Sequence, residues 1–587
     1  MSFRWIFANP VDGGAVDALQ ESLFGQHQNG ARHDSKLSPP ASNTIARLLT
    51  LRGITTYDDA KQFFRPELKE LYDPFLMRDM EAASIRLADA VRKGESVVVY
   101  GDYDVDGTTA TAIVYSFLKE FGVKVDHYIP HRFKEGYGIS EDGIAFAIEN
   151  KVDLIVSVDC GITAVEEAKY ARAKGIDLII CDHHTAGDVI PDAVAVLDPK
   201  RPDCSYPFDG LSGAGVGFKL VQATLTKLGL QQSVAYKYLD LVAISIASDI
   251  VPLIDENRIL MREGLKLINA SPRVGIKALL DQIKMEIGKI STSNIVFSLG
   301  PRINAAGRMG DASTALKLLI AATPEEGEYY AAELESINQK RRKKDSQTMD
   351  KAVEMVGEFD MDICSCMVLH DPDWHLGVIG IVASRLVDQY CRPAIMLSTV
   401  DGKIKGSARS IKGFNIYNAL KECEDLLIQF GGHEFAAGLT MDADNFDAFR
   451  TRFNEIVQHR LCDEDFEPEL IIDAVVDLND IDDRFWKILS QFEPYGPNNL
   501  KPIFVSKGLK VVGHPMKVGK DHLKLKLSQN VKDAPVFDAI GFNLGRFYED
   551  VIHSKAGDLQ IAFTIDVNTW HGKTSLQIQI KDIKVTE

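Results

Sequence analysis

Between about residues 76 and 250, short apolar runs rich in β-branched side chains alternate with helix-like segments. The runs are "SVVVYG", "KVDHYIP", "VDLIVSVD", "IDLIICD" and "AVAVLD"; between them lie "GTTATAIVYSFLKEFG", "SEDGIAFAIENK" and "GITAVEEAKYARAKG", with "GAGVGFKLVQATLTKLG" after the last. Strands that are apolar on both faces and separated by helices need a parallel sheet covered on both sides. In such a sheet, ligands sit beyond the carboxyl ends of the strands. The clusters "GDYDVDG", "VDCG" and "CDHHT" each end an apolar run, so they fall there.

The rest of the chain divides by pattern. A length of 587 residues suggests about three to five domains. Residues 1–75 form a mixed segment to which no chemistry is assigned: "GGAVDALQESLFGQHQNGARHDSKLSPPAS" reads as loop-rich, and "NTIARLLTLRGITTYDDAKQFFRP" as two short helices. The α/β pattern gives a catalytic domain over 76–270, followed by a helical connector over 271–350. That connector ends in one long solvated helix, whose basic run Lys340–Lys344 faces either nucleic acid or plain solvent. A second α/β unit spans 351–462, and short alternating runs over 463–587 predict a small β domain of barrel type.

Bulk charge limits the partners. With 84 acidic and 66 basic residues the net charge is −18, which argues against indiscriminate phosphate binding but leaves room for a local basic channel. The eight cysteines are scattered without a CxxC pair, so a zinc ribbon or disulfide framework is not expected; Cys364 and Cys366 read as strand residues. A reducing, cytoplasmic setting follows. No signal peptide is expected in "MSFRWIFANPVDGG", and no apolar run reaches 18 residues, so no membrane span is expected.

Asp102, Asp104 and Asp106 alternate where a strand should meet a helix. On extended backbone, residues i and i+2 share a face, so the three carboxylates are expected to aim one way. Keeping them ionised together requires a cation. The alternative is a plain Asp-rich turn with a helix cap; a calcium loop is excluded because Ile113 stands where its glutamate is needed. Asp159, Asp182, His183 and His184 end two further apolar runs, and Asp249 follows a third apolar stretch, "LVAISIAS". Mixed carboxylate and imidazole donors suit manganese, magnesium or iron better than structural zinc. Two such ions about 3.5–4 Å apart activate water for displacement at phosphorus.

"GDYDVDG", "VDCG", "CDHH" and "ASDIVPL", in that order, resemble the four motifs of the DHH phosphoesterase superfamily, and "GGHEFAAGL" resembles the glycine–glycine–histidine motif of the DHH-associated domain. More narrowly, "GPRINAAGRMG", "WHLGVIGIVASRL", "KGSARS" and "FEPYGPNNLKPIF" are similar to the RecJ family of bacterial single-stranded-DNA-specific 5′→3′ exonucleases. The resemblance implies an α/β protein: a parallel-sheet DHH domain joined by a long helix to a DHH-associated domain, plus a C-terminal OB-fold-like barrel. It implies metal positions at Asp102, Asp104, Asp106, Asp159, His183 and Asp249, with His184 also in the catalytic set. Tyr100 stands where many superfamily members carry histidine, and Asp182 is expected to orient a histidine.

Substrate contacts are expected from Arg132, Arg302, Asn304, Arg308, Ser407, Arg409 and His433, each arginine having a surface salt bridge as its plain alternative. His375 is left between a structural and a phosphate-binding role, and Lys517, Lys520, Lys524 and Lys526 between a basic groove and a solvated strand face. The activity implied is Mn2+- or Mg2+-dependent hydrolysis of single-stranded DNA to 5′-mononucleotides, with two ions, in repair and recombination. The implied partners are single-stranded DNA, single-strand-binding protein and a helicase, the protein itself being a monomer. The rival readings are a DHH enzyme for oligoribonucleotides, cyclic dinucleotides or pyrophosphate, and a non-catalytic DNA-binding scaffold.

Overall fold

The computed structural model describes residues 3–8, 12–25, 37–359, 364–570 and 573–586. The chain forms two compact units: Leu68–Phe466, and the residues up to Glu67 together with those from Glu467 onward.

The second of these units begins at the N-terminus with strand β1 (Arg4–Phe7) and the helices Gly13–Phe24, Pro39–Thr50 and Tyr57–Phe64. The first helix lies in the stretch expected to be loop-rich; Asp12 caps it, and Val16 and Leu19 supply its buried side. Residues 26–36 of that stretch lie outside the described residues. The two short helices expected next are present, and the Thr56 hydroxyl caps the second by accepting from Asp59 N.

In Leu68–Phe466 the strands β2 (Ser96–Gly101), β3 (Lys124–Tyr128), β4 (Leu154–Val158), β5 (Asp177–Cys181) and β6 (Ala195–Leu197) form an all-parallel sheet in the order β3-β2-β4-β5-β6. Alternation with period two sends Val97, Val99, Val156 and Ile179 into one core. It sends Val98, Tyr100, Ile155 and Ile180 into another on the opposite face. The first core is closed by helices that include Val105–Glu120, Gly213–Lys227 and Leu239–Ser248, the second by Glu141–Glu149 and Val165–Ala173.

Residues 271–350 are not a bare connector. Ile276, Leu279, Ile303, Leu316, Ala331 and Leu334 are buried in the same core as the parallel sheet. The helix Pro324–Gly357 is also not simply solvated: Ala331 and Leu334 lie in that core, while Ala352 and Val356 lie in the core of the next sheet. Between them Asn338, Arg341, Asp345 and Thr348 are buried along one face, leaving Lys340, Arg342, Lys343 and Lys344 exposed.

The next sheet contains β7 (Met367–His370), β8 (Ala394–Val400), β9 (Lys403–Arg409), β10 (Gln429–Gly432) and β11 (Ala436–Asp442) in the order β10-β11-β9-β8-β7. Only β7 and β8 are parallel. Ile404 and Ala408 of β9 join the core closed by the helix Phe446–Arg460. Ser407 and Arg409 therefore point to the opposite face, toward the helix Leu376–Tyr390.

The remaining strands complete the other unit: β12 (Glu469–Ile472), β13 (Ala474–Val475), β14 (Phe504–Val511), β15 (Met516–Val518), β16 (His522–Gln529), β17 (Val536–Gly541), β18 (Leu559–Trp570) and β19 (Lys573–Val585). Strand pairings β14–β18–β19–β17–β16–β14 close a five-stranded ring in which only β17 and β19 are parallel. That is a closed barrel of OB type. The N-terminal residues belong to this unit: β1 pairs in parallel with β12, from Arg4–Glu469 to Phe7–Ile472, and Leu19, Ile45 and Leu49 share the barrel's core. Sequence separation of more than 400 residues hides such a pairing from local patterns.

Among the described residues, no helix is long and apolar enough to cross a membrane.

Candidate active site

The site begins where β2 ends at Gly101. Only Asp102 directly follows the strand. Asp104 is the N-cap of the helix Val105–Glu120, its Oδ1 accepting from Gly107 N at 3.0 Å, and Asp106 lies in the first helical turn. The three carboxylates therefore do not share one face of an extended segment. A tight turn brings them together, and Gly107 permits it: a Cβ there would lie 2.4 Å from the carbonyl oxygen of Asp102. Asp106 is pinned by Gly213 N at 2.7 Å, Ala214 N at 2.8 Å and the Ser245 hydroxyl at 2.7 Å, so the amino end of the helix Gly213–Lys227 fixes its orientation.

Asp159 follows β4 with φ +60, a left-handed backbone that costs free energy in a non-glycine residue. The Tyr137 hydroxyl donates to its carbonyl at 3.1 Å and also lies 2.9 Å from His184 Nδ1. Beyond β5, Asp182 accepts from Ile162 N at 2.8 Å and His183 N at 2.7 Å and lies 2.8 Å from His184 Nδ1, so it fixes the following turn and orients His184. Asp249 arrives differently: it caps the carboxyl end of the helix Leu239–Ser248 rather than ending a strand.

These elements converge. His183 Nε2 lies 3.1 Å from Asp159 Oδ1, 3.5 Å from Asp106 Oδ2 and 3.6 Å from Asp249 Oδ2. Donor atoms of Asp102, Asp104 and Asp159, of Asp106, His183 and Asp249, and of Asp159, His183 and His184 each lie within 4.8 Å of one another. Asp102 Oδ1, Asp159 Oδ1 and both ring nitrogens of His183 are buried and make no hydrogen bond. Orphaned buried donors of this kind are costly unless a ligand satisfies them. Burial, then repulsion among the carboxylates, pushes Asp102, Asp104 and Asp159 above the usual carboxylate range, and Asp249 up to about 9. Burial also pushes His183 down. Burial opposes the charge on Asp182 as well, but the hydrogen bonds from His184 and Ile162 N and the charges of the two histidines together outweigh it and keep that carboxyl low. A set of hard oxygens with imidazole, orphaned and mutually repelling, fits divalent cations of the manganese or magnesium type.

A cavity of about 320 Å3 opens over this edge and is lined by Asp102, Asp104, Asp159 and Asp249 together with Arg132, Asn304 and Arg308. A larger one, of about 590 Å3, shares Tyr103, Arg132 and Arg308 with it and continues to Ser407 and Arg409. The Arg132 guanidinium lies 4.9 Å above the Tyr103 ring. Arg409 donates to the Ser407 hydroxyl at 2.9 Å. Burial and then the charge of Arg132 lower Arg308 to about 10; the same two causes lower Arg409.

Not every expected contact is here. Arg302 is spent in a salt bridge: it donates to Glu335 at 2.6 Å and to the Ser298 carbonyl at 2.8 Å, and lines neither cavity. His433 is exposed at the β10–β11 turn, and its neighbours Gly431 and Gly432 line the larger cavity instead. Asn304 reaches the smaller cavity while accepting from Val105 N at 3.2 Å, so it also braces the aspartate turn. His375 caps the helix Leu376–Tyr390, its Nδ1 accepting from Gly377 N at 3.0 Å. Tyr100 does not reach the cluster: its hydroxyl donates to the Gly138 carbonyl at 2.9 Å.

Tyr137, Ser245 and Asp198 escaped the sequence reading. Asp198 is fully buried after β6 with one unpaired oxygen, and burial pushes it to about 7. Its signal was present, since "AVAVLD" is one more apolar run ending in aspartate. In the barrel unit Lys517, Lys520, Lys524 and Lys526 are exposed, the last two on the outer face of β16.

Residues 96–246 match the DHH family N-terminal domain, 361–459 the DHHA1 domain and 472–582 the RecJ OB domain. The single-stranded-DNA-specific exonuclease RecJ of Bacillus subtilis is 39% identical over 547 residues, covering 92% of this chain and 68% of the relative. Its Escherichia coli counterpart is 33% identical over 559 residues, covering 92% and 95%. Among solved structures, RecJ of Thermus thermophilus in complex with Mn2+ is similar with a TM-score of 0.81 at 28% identity, covering 100% of this chain and 80% of that one. An exonuclease RecJ bound to manganese is 36% identical with a TM-score of 0.59, covering 68% and 97%. The chain belongs to the RecJ family of the DHH phosphoesterases.

Proposed function

We infer that this protein is a metal-dependent exonuclease that hydrolyses single-stranded DNA from its 5′ end to mononucleotides, in repair and recombination. The observation that carries the reading is the pair of joined cavities. One holds an acidic edge with orphaned donors, the other is lined by arginines, and both share Tyr103, Arg132 and Arg308. Its relatives are named single-stranded-DNA-specific exonucleases, and solved relatives carry Mn2+ or Mg2+.

Asp102, Asp104, Asp106, Asp159, His183 and Asp249 would hold divalent cations, two in number, with His184 beside them. When bound, such ions supply a water of lowered pKa and neutralise charge at the phosphoryl oxygens. The chain's own residues do the rest. Ser407 and Arg409 bind a terminal phosphate through a hydroxyl and a planar guanidinium. Arg132 and Arg308 draw the next phosphodiester toward the acidic edge, Tyr103 offers a ring beside it, and Asp182 and Tyr137 keep His184 in one orientation. A terminal clamp fixed one step from the acidic edge sets the direction of digestion. By themselves, the exposed lysines of β15, β16 and the turn between them suit a nucleic-acid backbone.

The test is timed digestion of one oligonucleotide labelled at the 5′ end in one sample and the 3′ end in another, with Mn2+, Mg2+ or chelator. The 5′ label should appear at once as mononucleotide while the 3′ label descends a ladder, only with metal. Cleavage confined to dinucleotide controls would move the substrate to the small-molecule class. Retention of the strand without cleavage would leave only a scaffold.

A further inference from the structure

The larger cavity does not stop at Ser407 and Arg409. Its floor is the face of β9, β11 and β10, and strand register lays that face out in rows. Arg409 stands opposite Ala436; Ser407 opposite Gly438, and Gly438 opposite Gly431; Lys405 opposite Thr440, and Thr440 opposite Gln429. Successive rows are two residues apart, about 6.8 Å along the strand.

The middle row is bare. A Cβ on Gly431 would meet nothing within 4 Å, and one on Gly438 would meet only the Gly406 carbonyl oxygen, at 3.9 Å. Glycine inside a strand weakens it and marks close approach of another group; here no protein atom demands the space. The last row is polar and idle. Among the described residues the side chains of Lys405, Thr440 and Gln429 make no hydrogen bond or ion pair, whereas the neighbouring Lys403 pairs with Asp442.

Charge points the same way. In a protein of net charge −18, this cavity is lined by Arg132, Arg308, Arg409 and Lys405 and by no carboxylate. A terminal monophosphate brings roughly two negative charges, fewer than the lining can balance. The volume of about 590 Å3 suits a small-molecule ligand rather than a lone phosphate.

We propose that the row Lys405–Thr440–Gln429 is a second anion subsite, which takes the outer phosphates of a strand whose 5′ end is a polyphosphate. The proposal rests on the exonuclease reading above. The innermost phosphate stays on Ser407 and Arg409, so the first phosphodiester keeps its place over the acidic edge. Water adds to that phosphorus, the bond to the 3′-oxygen breaks and the 3′-oxygen takes the proton. The first product is a nucleoside polyphosphate. The shortened strand retains the phosphorus as an ordinary 5′-monophosphate, so the subsite serves only the first turnover.

The test uses one single-stranded DNA sequence, labelled at its 3′ end and carrying a 5′-hydroxyl, a 5′-monophosphate or a 5′-triphosphate. First-cleavage rates are measured in single turnover for the parent protein, Lys405→Ala and Lys405→Arg. The parent should cleave the triphosphate within about threefold of the monophosphate. Lys405→Ala should slow the triphosphate tenfold or more and leave the monophosphate unchanged, and Lys405→Arg should restore the triphosphate rate. The proposal is overturned if the parent cleaves the triphosphate no faster than the hydroxyl end. It is also overturned if Lys405→Ala leaves the triphosphate rate unchanged or slows both phosphorylated ends alike. If the parent cleaves none of the three, the exonuclease reading fails first, by a signature distinct from these.

Discussion

The two sheets of Leu68–Phe466 build their functional surfaces in opposite ways. The parallel sheet works at its edge: β2, β4 and β5 run through the core and release Asp102, Asp159 and Asp182–His184 where the backbone leaves the ladder. The mixed sheet works on its face: Ser407 and Arg409 lie within β9, flanked by β11. One surface is acidic, deeply buried and unsatisfied without a cation. The other is cationic, open and floored with glycine. An edge gathers groups from distant strands around a point, as a metal requires; a face offers repeating rows, as an extended anion requires.

The edge and the face should respond differently to substitution, pH and metal. The largest effect is expected at the edge. Asp159→Asn keeps a residue tolerant of left-handed backbone but removes a ligand, so cleavage should fall about 10³-fold or more for every strand end, as several kcal/mol of transition-state stabilisation is lost. Unfolding of the metal-free protein should show no matching loss of stability, because one repelling charge is gone. A fall in both would make Asp159 a structural residue.

Arg308 lines both cavities. Arg308→Ala should therefore lower kcat/KM by about 10- to 100-fold, the worth of a charged hydrogen bond, on phosphorylated and unphosphorylated strands alike. A loss confined to one kind of strand would separate the two surfaces.

The edge should also make stability depend on pH and metal. Asp249 is pushed to about 9 in the folded protein against roughly 4 unfolded. Its contribution to stability is thus full below about pH 4 and is lost as the pH rises toward 9. The metal-free protein should weaken between pH 5 and 9, and Mn2+ should raise Tm more at pH 8.5 than at pH 5.5. At a fixed Mn2+ concentration equal to 100 times its Kd at pH 8.5 the gain there is about 2.7 kcal/mol, and the same concentration should give less at pH 5.5. Calorimetry at the two pH values decides it; an equal gain at both would deny the repulsion.

The smallest effect is expected at Arg302, whose bridge to Glu335 belongs to neither surface. Arg302→Ala should cost about 1 kcal/mol of stability and change activity less than about threefold.

The contrast also explains what the sequence disclosed. Strand ends announce themselves, because a buried apolar run that stops on a carboxylate is visible locally; the places of Asp102, Asp159 and Asp182 were legible for that reason. Asp198 carries the same mark and was passed over. The geometry of Asp102, Asp104 and Asp106 was misread, since a capped turn and an extended segment share the same alternation. Arg302 and Arg308 sit in one motif, and only packing shows that Glu335 claims the first while the second faces the cavity. The N-terminal strand's union with β12 was invisible, because no local pattern encodes a partner so far along the chain.

The most direct test of the joined-cavity account is the ratio of initial rates on 5′-phosphorylated and 5′-hydroxyl forms of one single-stranded DNA, in the parent protein and in Arg409→Ala. The parent should prefer the phosphorylated end by tenfold or more, and the preference should collapse toward one in Arg409→Ala, with residual cleavage still dependent on metal. An unchanged preference in Arg409→Ala would contradict it, because the face of β9 would then have no part in choosing the strand end.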